Sequence, residues 1–101
     1  MLKEVMMYSG RIWINKLDSL VGKARNGRYF RKYRLIHDNS FYTLTVFAQR
    51  ASDLFSLPET LVVRDLPVQA SEYRQDDKAY VVYSTEYDKL LQHIREEKPK
   101  K

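Results

Sequence analysis

The stretch that decides the fold runs from residue 27 to residue 48 and reads GRYFRKYRLIHDNSFYTLTVFA. Its centre, Asp38-Asn39-Ser40, predicts a turn, because these side chains bond locally to the backbone and tolerate unusual dihedral angles. The flanking segments are rich in aromatic and β-branched residues, which is typical of strands. We therefore expect a strand at 28–36 and a second at 41–47, joined as a hairpin.

The first of these strands mixes rings with cations on both of its faces. Successive side chains point to opposite sides of a strand. One side would carry Tyr29, Arg31, Tyr33 and Leu35, and the other Phe30, Lys32, Arg34 and Ile36. Such a strand is a poor core strand, but it suits a surface that holds something flat and anionic, and nucleic acid is the commonest such ligand.

Charge is concentrated in the same region. The chain carries a net charge of +5, which permits a nucleic acid or another anionic surface as partner. Six of its cations fall within residues 23–34 with no acid among them: Lys23, Arg25, Arg28, Arg31, Lys32 and Arg34. The pattern predicts a patch that follows phosphates. The alternative is a solvated face that keeps the protein in solution.

Length and composition restrict the class of protein. A chain of 101 residues is expected to form one domain with a modest core. The absence of cysteine excludes disulfides and thiolate zinc sites and favours the cytoplasm. No apolar run is long enough to span a membrane, and the first residues lack the layout of a signal peptide.

The N-terminal quarter predicts a strand followed by a long connector. Residues 6–14 alternate, with Met6, Tyr8, Gly10, Ile12 and Ile14 on the expected core side. Gly10 indicates a bulge or a close backbone approach. Trp13 shares the other side with Arg11, where it either packs in the core or forms a platform for bases. Residues 15–27 form the connector, which ends in an Asn-Gly turn.

The second half predicts a short helix and a second hairpin. Residues 49–57 have helical spacing and stop before Pro58. Extended segments follow at 61–63 and 67–73, where Pro67 indicates an edge, a break or a bulge. A turn at 74–78 leads into a strand at 79–84. Asp76 and Asp77 are interpreted as turn residues, because two adjacent carboxylates are weak evidence for a metal site.

The chain ends in a predicted helix at 85–97 and a basic tail at 98–101. Thr85 and Asp88 resemble a capping box. An apolar stripe at helical spacing would pack on the domain, and it consists of Tyr87, Leu90, Leu91 and Ile94.

The chemical inventory argues against catalysis. There are two histidines, His37 and His93, and three glycines, with no Gly-rich phosphate loop and no Ser-His-Asp spacing. We expect no enzyme, no cofactor and no metal site.

The order of elements predicts a mainly β fold, a five-stranded Greek-key OB-type barrel with a short helix between the third and fourth strands. The barrel would occupy residues 1–84, with the C-terminal helix at 85–97 packed on it.

Three segments resemble the single-stranded DNA-binding protein family of bacteria and phages. They are Tyr8-Ser9-Gly10-Arg11-Ile12, the run from Asn26-Gly27-Arg28 to Tyr33-Arg34-Leu35, and Tyr42-Thr43-Leu44-Thr45-Val46-Phe47 leading into Arg50-Ala51. The family's Lys-Gly pair before the fourth strand is replaced by Pro58-Glu59-Thr60, and its acidic tail tip by Lys-Pro-Lys-Lys. A short member from a phage or mobile element is the nearer match.

The resemblance implies binding of single-stranded DNA without sequence specificity, in replication or recombination. In the family layout the position of Tyr33 faces the barrel interior, which would turn Phe30, Lys32 and Arg34 toward the ligand. In the reversed register, Tyr29 and Arg31 would face the ligand instead. The expected contacts are Arg11, Trp13, Lys23, Arg25, Arg28, Tyr29, Phe30, Arg31, Lys32, Arg34, Tyr42, Tyr73, Arg74 and Tyr80. An RNA-binding OB domain, a protein-interaction module and a small nuclease stay open as alternatives. We also expect a homo-oligomer, a dimer or larger.

Overall fold

A computed structural model describes residues 3–16 and 20–94. Its elements are β1 (Lys3–Ile14), β2 (Gly22–Lys23), β3 (Tyr29–His37), β4 (Ser40–Ala48), α1 (Ala51–Phe55), β5 (Thr60–Gln75), β6 (Lys78–Glu86) and α2 (Tyr87–His93). The predicted strands and the short helix between the third and fourth of them are confirmed. The predicted tail at 98–101 lies outside the described residues.

Five strands close into a barrel. Hydrogen-bonded neighbours follow the order β1-β5-β6-β4-β3, and β1 also pairs with β3, which completes the ring. The β4–β6 pair is parallel and the other pairs are antiparallel. β2 is an addition that pairs with the beginning of β3. This connectivity confirms the predicted OB-type barrel.

Two tight turns fix the hairpins. Asp38 and Asn39 have φ of 50° and 62°, the conformation of a two-residue turn whose twist matches that of the flanking strands. The turn sets the β3–β4 register from His37↔Ser40 to Tyr29↔Ala48. Asp76 and Asp77 repeat the geometry, with φ of 53° and 63°, so the interpretation of this pair as turn residues is confirmed.

A bulge interrupts the pairing of β1 with β5 near Gly10, as predicted. The register shifts between Tyr8 and Gly10, and Asp65 opposite adopts a left-handed φ of 52°. The Asp65 amide donates to Ser9 Oγ at 2.9 Å. Gly10 has φ of 147°, and a Cβ there would lie 2.9 Å from the Tyr8 hydroxyl. A side chain at position 10 would therefore meet both backbone strain and a clash.

The core lies inside the barrel and beneath α1 and α2. Its members come from the inward side of every barrel strand: Tyr8, Ile12, Ile14, Tyr33, Leu35, Leu44, Val46, Ala48, Leu61, Val63, Leu66, Val68 and Tyr83, joined by Leu54, Leu57 and Leu90. The predicted core side of the first strand is confirmed at Tyr8, Ile12 and Ile14. Met6 is half-buried and packs against this core.

The prediction for Pro67 was correct only in part. β5 is one continuous strand between β1 and β6, so neither an edge nor a break is present. The bulge lies two residues earlier, at Asp65. Pro67 is tolerated because the β5–β6 ladder begins at Gln69, and the Pro67 carbonyl on that side accepts from Thr85 Oγ1 at 3.1 Å.

The predicted capping box was wrong. Thr85 belongs to β6, its hydroxyl is engaged by Pro67, and α2 begins after Glu86 without a side-chain cap. The helix covers Tyr87–His93, shorter than predicted, and residues 95–97 lie outside the described part. Leu90 is fully buried, whereas Leu91 is 48% exposed, so Leu91 does not belong to the packed stripe.

Candidate nucleic-acid interface

The register of β3 decides which side chains reach solvent. Tyr33 and Leu35 are fully buried in the barrel, which confirms the prediction that Tyr33 is the core ring. Phe30, Lys32 and Arg34 consequently point outward and are half-buried. The predicted binding side of the strand is therefore the even-numbered one.

Strand pairing brings rings and cations from three strands to one surface. Arg34 pairs with Trp13 of β1, and Phe30 pairs with Phe47 of β4. Partners in a pair lie on the same side of a sheet. The resulting surface, called here the outer aromatic face, consists of Trp13, Phe30, Lys32, Arg34, Phe41 and Phe47.

One end of the outer aromatic face is a groove lined by Trp13 and Phe41. The two rings meet edge to face with centroids 6.0 Å apart. The Arg34 guanidinium carbon lies 5.4 Å from the Phe41 centroid, within the range of a cation–π contact. Ile14, Asn15 and Lys16 complete the lining of this groove, whose volume is about 380 Å³. Phe41 is 60% exposed, so its ring is accessible to a ligand.

The other end combines Phe30 and Phe47. Their ring centroids are 6.3 Å apart, and the Arg28 guanidinium lies 5.4 Å from the Phe47 ring. Arg28 also forms an ion pair with Glu86 at the end of β6. The Phe30 ring rests on Gly22 of β2, where a Cβ would come within 2.5 Å of it. β2 therefore supports this ring from below.

The distance between the two ends of the outer aromatic face is long enough for the face to contact several nucleotides of one strand. Phe41 and Phe47 are six positions apart on one strand, and a rise of about 3.3 Å per residue separates them by roughly 20 Å. Lys32 and Thr45, which pair with each other, lie between them. The face thus alternates ring, cation and ring along its length.

The predicted cluster of six cations does not form one patch, because Arg31 lies on the inward side of β3, as does the predicted contact Tyr29. Arg31 Nη1 donates to the Leu54 and Leu57 carbonyls at 3.1 and 3.3 Å. Arg31 therefore positions the end of α1 rather than joining the outer aromatic face. Tyr29 packs against the core, with Lys23 Nζ 5.7 Å from its ring.

Tyr33 holds the segment that follows α1 from inside the core. Its hydroxyl donates to the Pro58 carbonyl at 2.8 Å. Burial raises the pKa of Tyr33 above its ordinary value, and the neighbouring Arg31 charge partly offsets that rise. The hydroxyl consequently stays protonated and able to donate.

The remaining predicted contacts are dispersed. Arg11 is exposed on β1 beside the groove, and Arg25 is exposed in the connector. Arg74 and Tyr80 lie on the arm formed by the β5–β6 hairpin, and both are exposed. The side chain of Tyr73 lies outside the described part. Tyr42 lies on the inward side of β4, against Tyr83.

Sequence reasoning missed Phe41 and Phe47 as site residues. A usable signal was present, because a two-residue turn at Asp38-Asn39 pairs position 36 with 41 and position 30 with 47. The wider turn assigned from sequence left that register undetermined. With the register known, alternation alone would have placed both rings beside the cations of β3.

The described residues contain neither a candidate metal site nor a membrane-spanning helix. Among residues 3–16 and 20–94, no group of three or more histidine or carboxylate side chains is arranged to hold a metal ion. Within the same ranges, no helix has the length and apolar character needed to cross a membrane.

Comparisons with known proteins add no assignment. The chain matches no protein-family model, no curated protein and no solved structure. The resemblance to single-stranded DNA-binding proteins therefore stays a prediction, supported by three segments of sequence and by the OB-type topology.

Proposed function

We propose that this protein binds single-stranded DNA without sequence specificity, using the outer aromatic face. The observation that carries the proposal is the Trp13–Phe41 groove, where accessible rings stand beside the Arg34 guanidinium. Rings of this kind stack on any base, and each such contact contributes about 1–3 kcal/mol. Cations beside the rings neutralise the phosphates that link successive bases.

The exposure of the rings favours a ligand over a purely structural role. The barrel core is complete without Phe41, which leaves 60% of its surface in water. An apolar patch rimmed by polar residues on a soluble protein commonly marks a binding surface. Here the rim is basic, which favours an anionic ligand over a neutral one.

Single strands suit this face better than duplex. Unpaired bases expose the flat surfaces on which rings stack, whereas a duplex buries them between neighbouring base pairs. RNA is the second candidate ligand, because the choice depends on contacts to the 2′-hydroxyl. In this proposal the protein acts in replication or recombination in the cytoplasm, has no catalytic activity and requires no cofactor.

A homo-oligomer belongs to the same proposal. Val5 and Met7 of β1 are 66% and 65% exposed and lie on the outward side of the barrel, with Gln69 and Pro67 as their strand partners. A second copy covering these side chains would remove apolar surface from water. Their place near the start of β1 leaves the Trp13 end available to DNA.

The proposal is tested by removing one ring at a time. Phe41→Ala is expected to weaken binding to labelled oligo-dT by about 1–3 kcal/mol. Phe55→Ala is the matched control, because Phe55 is 68% exposed but lies on α1 rather than on the outer aromatic face. Equal affinities of the two variants in fluorescence anisotropy would contradict the assignment of the face. The same assay with oligo-U separates DNA from RNA.

A further inference from the structure

The barrel opens to solvent at the end where β3 turns into β4. Inward-pointing side chains continue past the core there and form what we call the barrel mouth: Glu4, His37, Tyr42, Glu72 and Tyr83. The Tyr42 and Tyr83 rings stand nearly perpendicular, at 81°, with centroids 5.3 Å apart. The His37 ring lies 6.4 Å from each of them.

A cavity of about 210 Å³ opens beside the Tyr83 ring. It is lined by Glu4, Ala70, Ser71, Glu72, Val81 and Tyr83. Tyr83 is only 6% exposed, so most of its ring is packed inside the barrel where it lines the cavity.

The barrel mouth is electronegative within a basic protein. The chain carries +5 overall, yet among the side chains that the structure describes, two carboxylates and no lysine or arginine line the cavity. The pKa of Tyr83 is raised first by burial and then by the nearby Tyr42, Asp38 and Glu4. Of these neighbours, Asp38 and Glu4 are carboxylates that carry negative charge near neutral pH, so the surroundings of Tyr83 attract a cation.

We propose that the barrel mouth binds an alkylammonium cation, such as a lysine side chain or a polyamine. The electron-rich faces of tyrosine rings attract cations held within about 6 Å of the ring centre. Glu4 and Glu72 supply compensating charge at the rim, and barrel mouths are common places for small-ligand sites. The cavity accommodates one alkylammonium group rather than a folded partner.

The site is separate from the outer aromatic face. Tyr42 and Tyr83 occupy inward positions of β4 and β6, whereas Phe41 and Phe47 occupy outward positions of β4. The two surfaces therefore differ in side of the sheet and in sign of charge. Binding of a cation here does not depend on whether the protein binds DNA.

The test is a titration without nucleic acid, monitored through the proton NMR resonances of the tyrosine rings. Tetramethylammonium and n-butylammonium are the probes, at constant ionic strength, with tert-butanol as the neutral probe of similar size. We expect saturable shifts of Tyr42 and Tyr83 with both cations and none with tert-butanol. Tyr42→Leu should weaken binding about fivefold to thirtyfold, whereas Tyr42→Phe, which keeps the ring, should retain most of it.

Surface variants keep the test decisive if Tyr42→Leu perturbs folding. Glu4→Gln should weaken cation binding, whereas Glu59→Gln, which removes an exposed carboxylate outside the mouth, should not. Spermidine and a blocked lysine then identify the source of the cation by their relative affinities. Linear shifts without saturation, equal shifts with tert-butanol, or equal effects of the two glutamate variants would overturn the proposal.

Discussion

Tyr33 and Phe30 lie three residues apart on β3 and have opposite roles. Tyr33 is fully buried and its hydroxyl donates to the Pro58 carbonyl. Tyr33→Ala should therefore lower the free energy of unfolding by about 3–5 kcal/mol. Phe30→Ala should instead weaken oligo-dT binding by about 1–3 kcal/mol, with a smaller loss of stability. Urea unfolding and anisotropy of both variants check the pair, and wild-type behaviour of both would refute the register.

Glu86 is an acid at the edge of the outer aromatic face that forms an ion pair with Arg28. If DNA binds this face as proposed, Glu86 competes with phosphate for Arg28. The pair is part-exposed, with 28% and 43% of the two side chains accessible, so it contributes at most about 1 kcal/mol. Glu86→Gln should free Arg28, tighten oligo-dT binding up to about fivefold and steepen the log–log salt slope by about 0.7.

The control for this prediction is Asp77→Asn, which removes the same charge from the remote turn of the β5–β6 arm. Both variants change net charge equally, so a general electrostatic effect would appear in both. An identical increase in affinity would mean that Arg28 has no special part in binding.

The short strand β2 positions the ring of Phe30, which the proposed function assigns to the ligand. A Cβ on Gly22 would come within 2.5 Å of the Phe30 ring, so Gly22→Ala should displace that ring and weaken oligo-dT binding. Gly27→Ala is the comparison: it meets no atom within 4 Å but has φ of +83°, and should cost about 1–2 kcal/mol of stability. Melting and binding curves that fail to separate the two variants would contradict this role of β2.

Elements were predictable from the sequence wherever the information is local. Alternation gave the strands of the barrel, and turn-forming residues located both hairpins. The capping box predicted at Thr85 was wrong because the Thr85 hydroxyl donates to the Pro67 carbonyl, 18 residues away, rather than capping its own helix. The prediction that Arg31 joins the exposed cation patch failed for a similar reason, since the carbonyls of Leu54 and Leu57 that accept from it are 23 and 26 residues distant. Such long-range polar contacts leave no local pattern.

At the scale of the whole molecule, three buried tyrosines link stability to alkaline pH. Burial raises the pKa of Tyr8, Tyr33 and Tyr83 above the ordinary value of 10.0. The unfolded chain then loses these protons before the folded chain does, so stability is fully present below pH 10.0 and falls as pH rises through the folded pKa values. Urea midpoints measured from neutral to strongly alkaline pH should decline in that window. Tyr33→Phe should reduce the decline.

The barrel carries two different surfaces. The outer aromatic face combines rings with cations, and the barrel mouth combines rings with carboxylates. The proposed function is that the outer aromatic face binds single-stranded DNA. The most direct measurement is the affinity for oligo-dT and for a duplex of equal length across a series of salt concentrations. We predict tighter binding to oligo-dT at every salt, with a log–log slope of roughly −2 to −3.5 from three to five phosphate contacts. Equal affinity for the two ligands, or a slope near zero, would contradict the account.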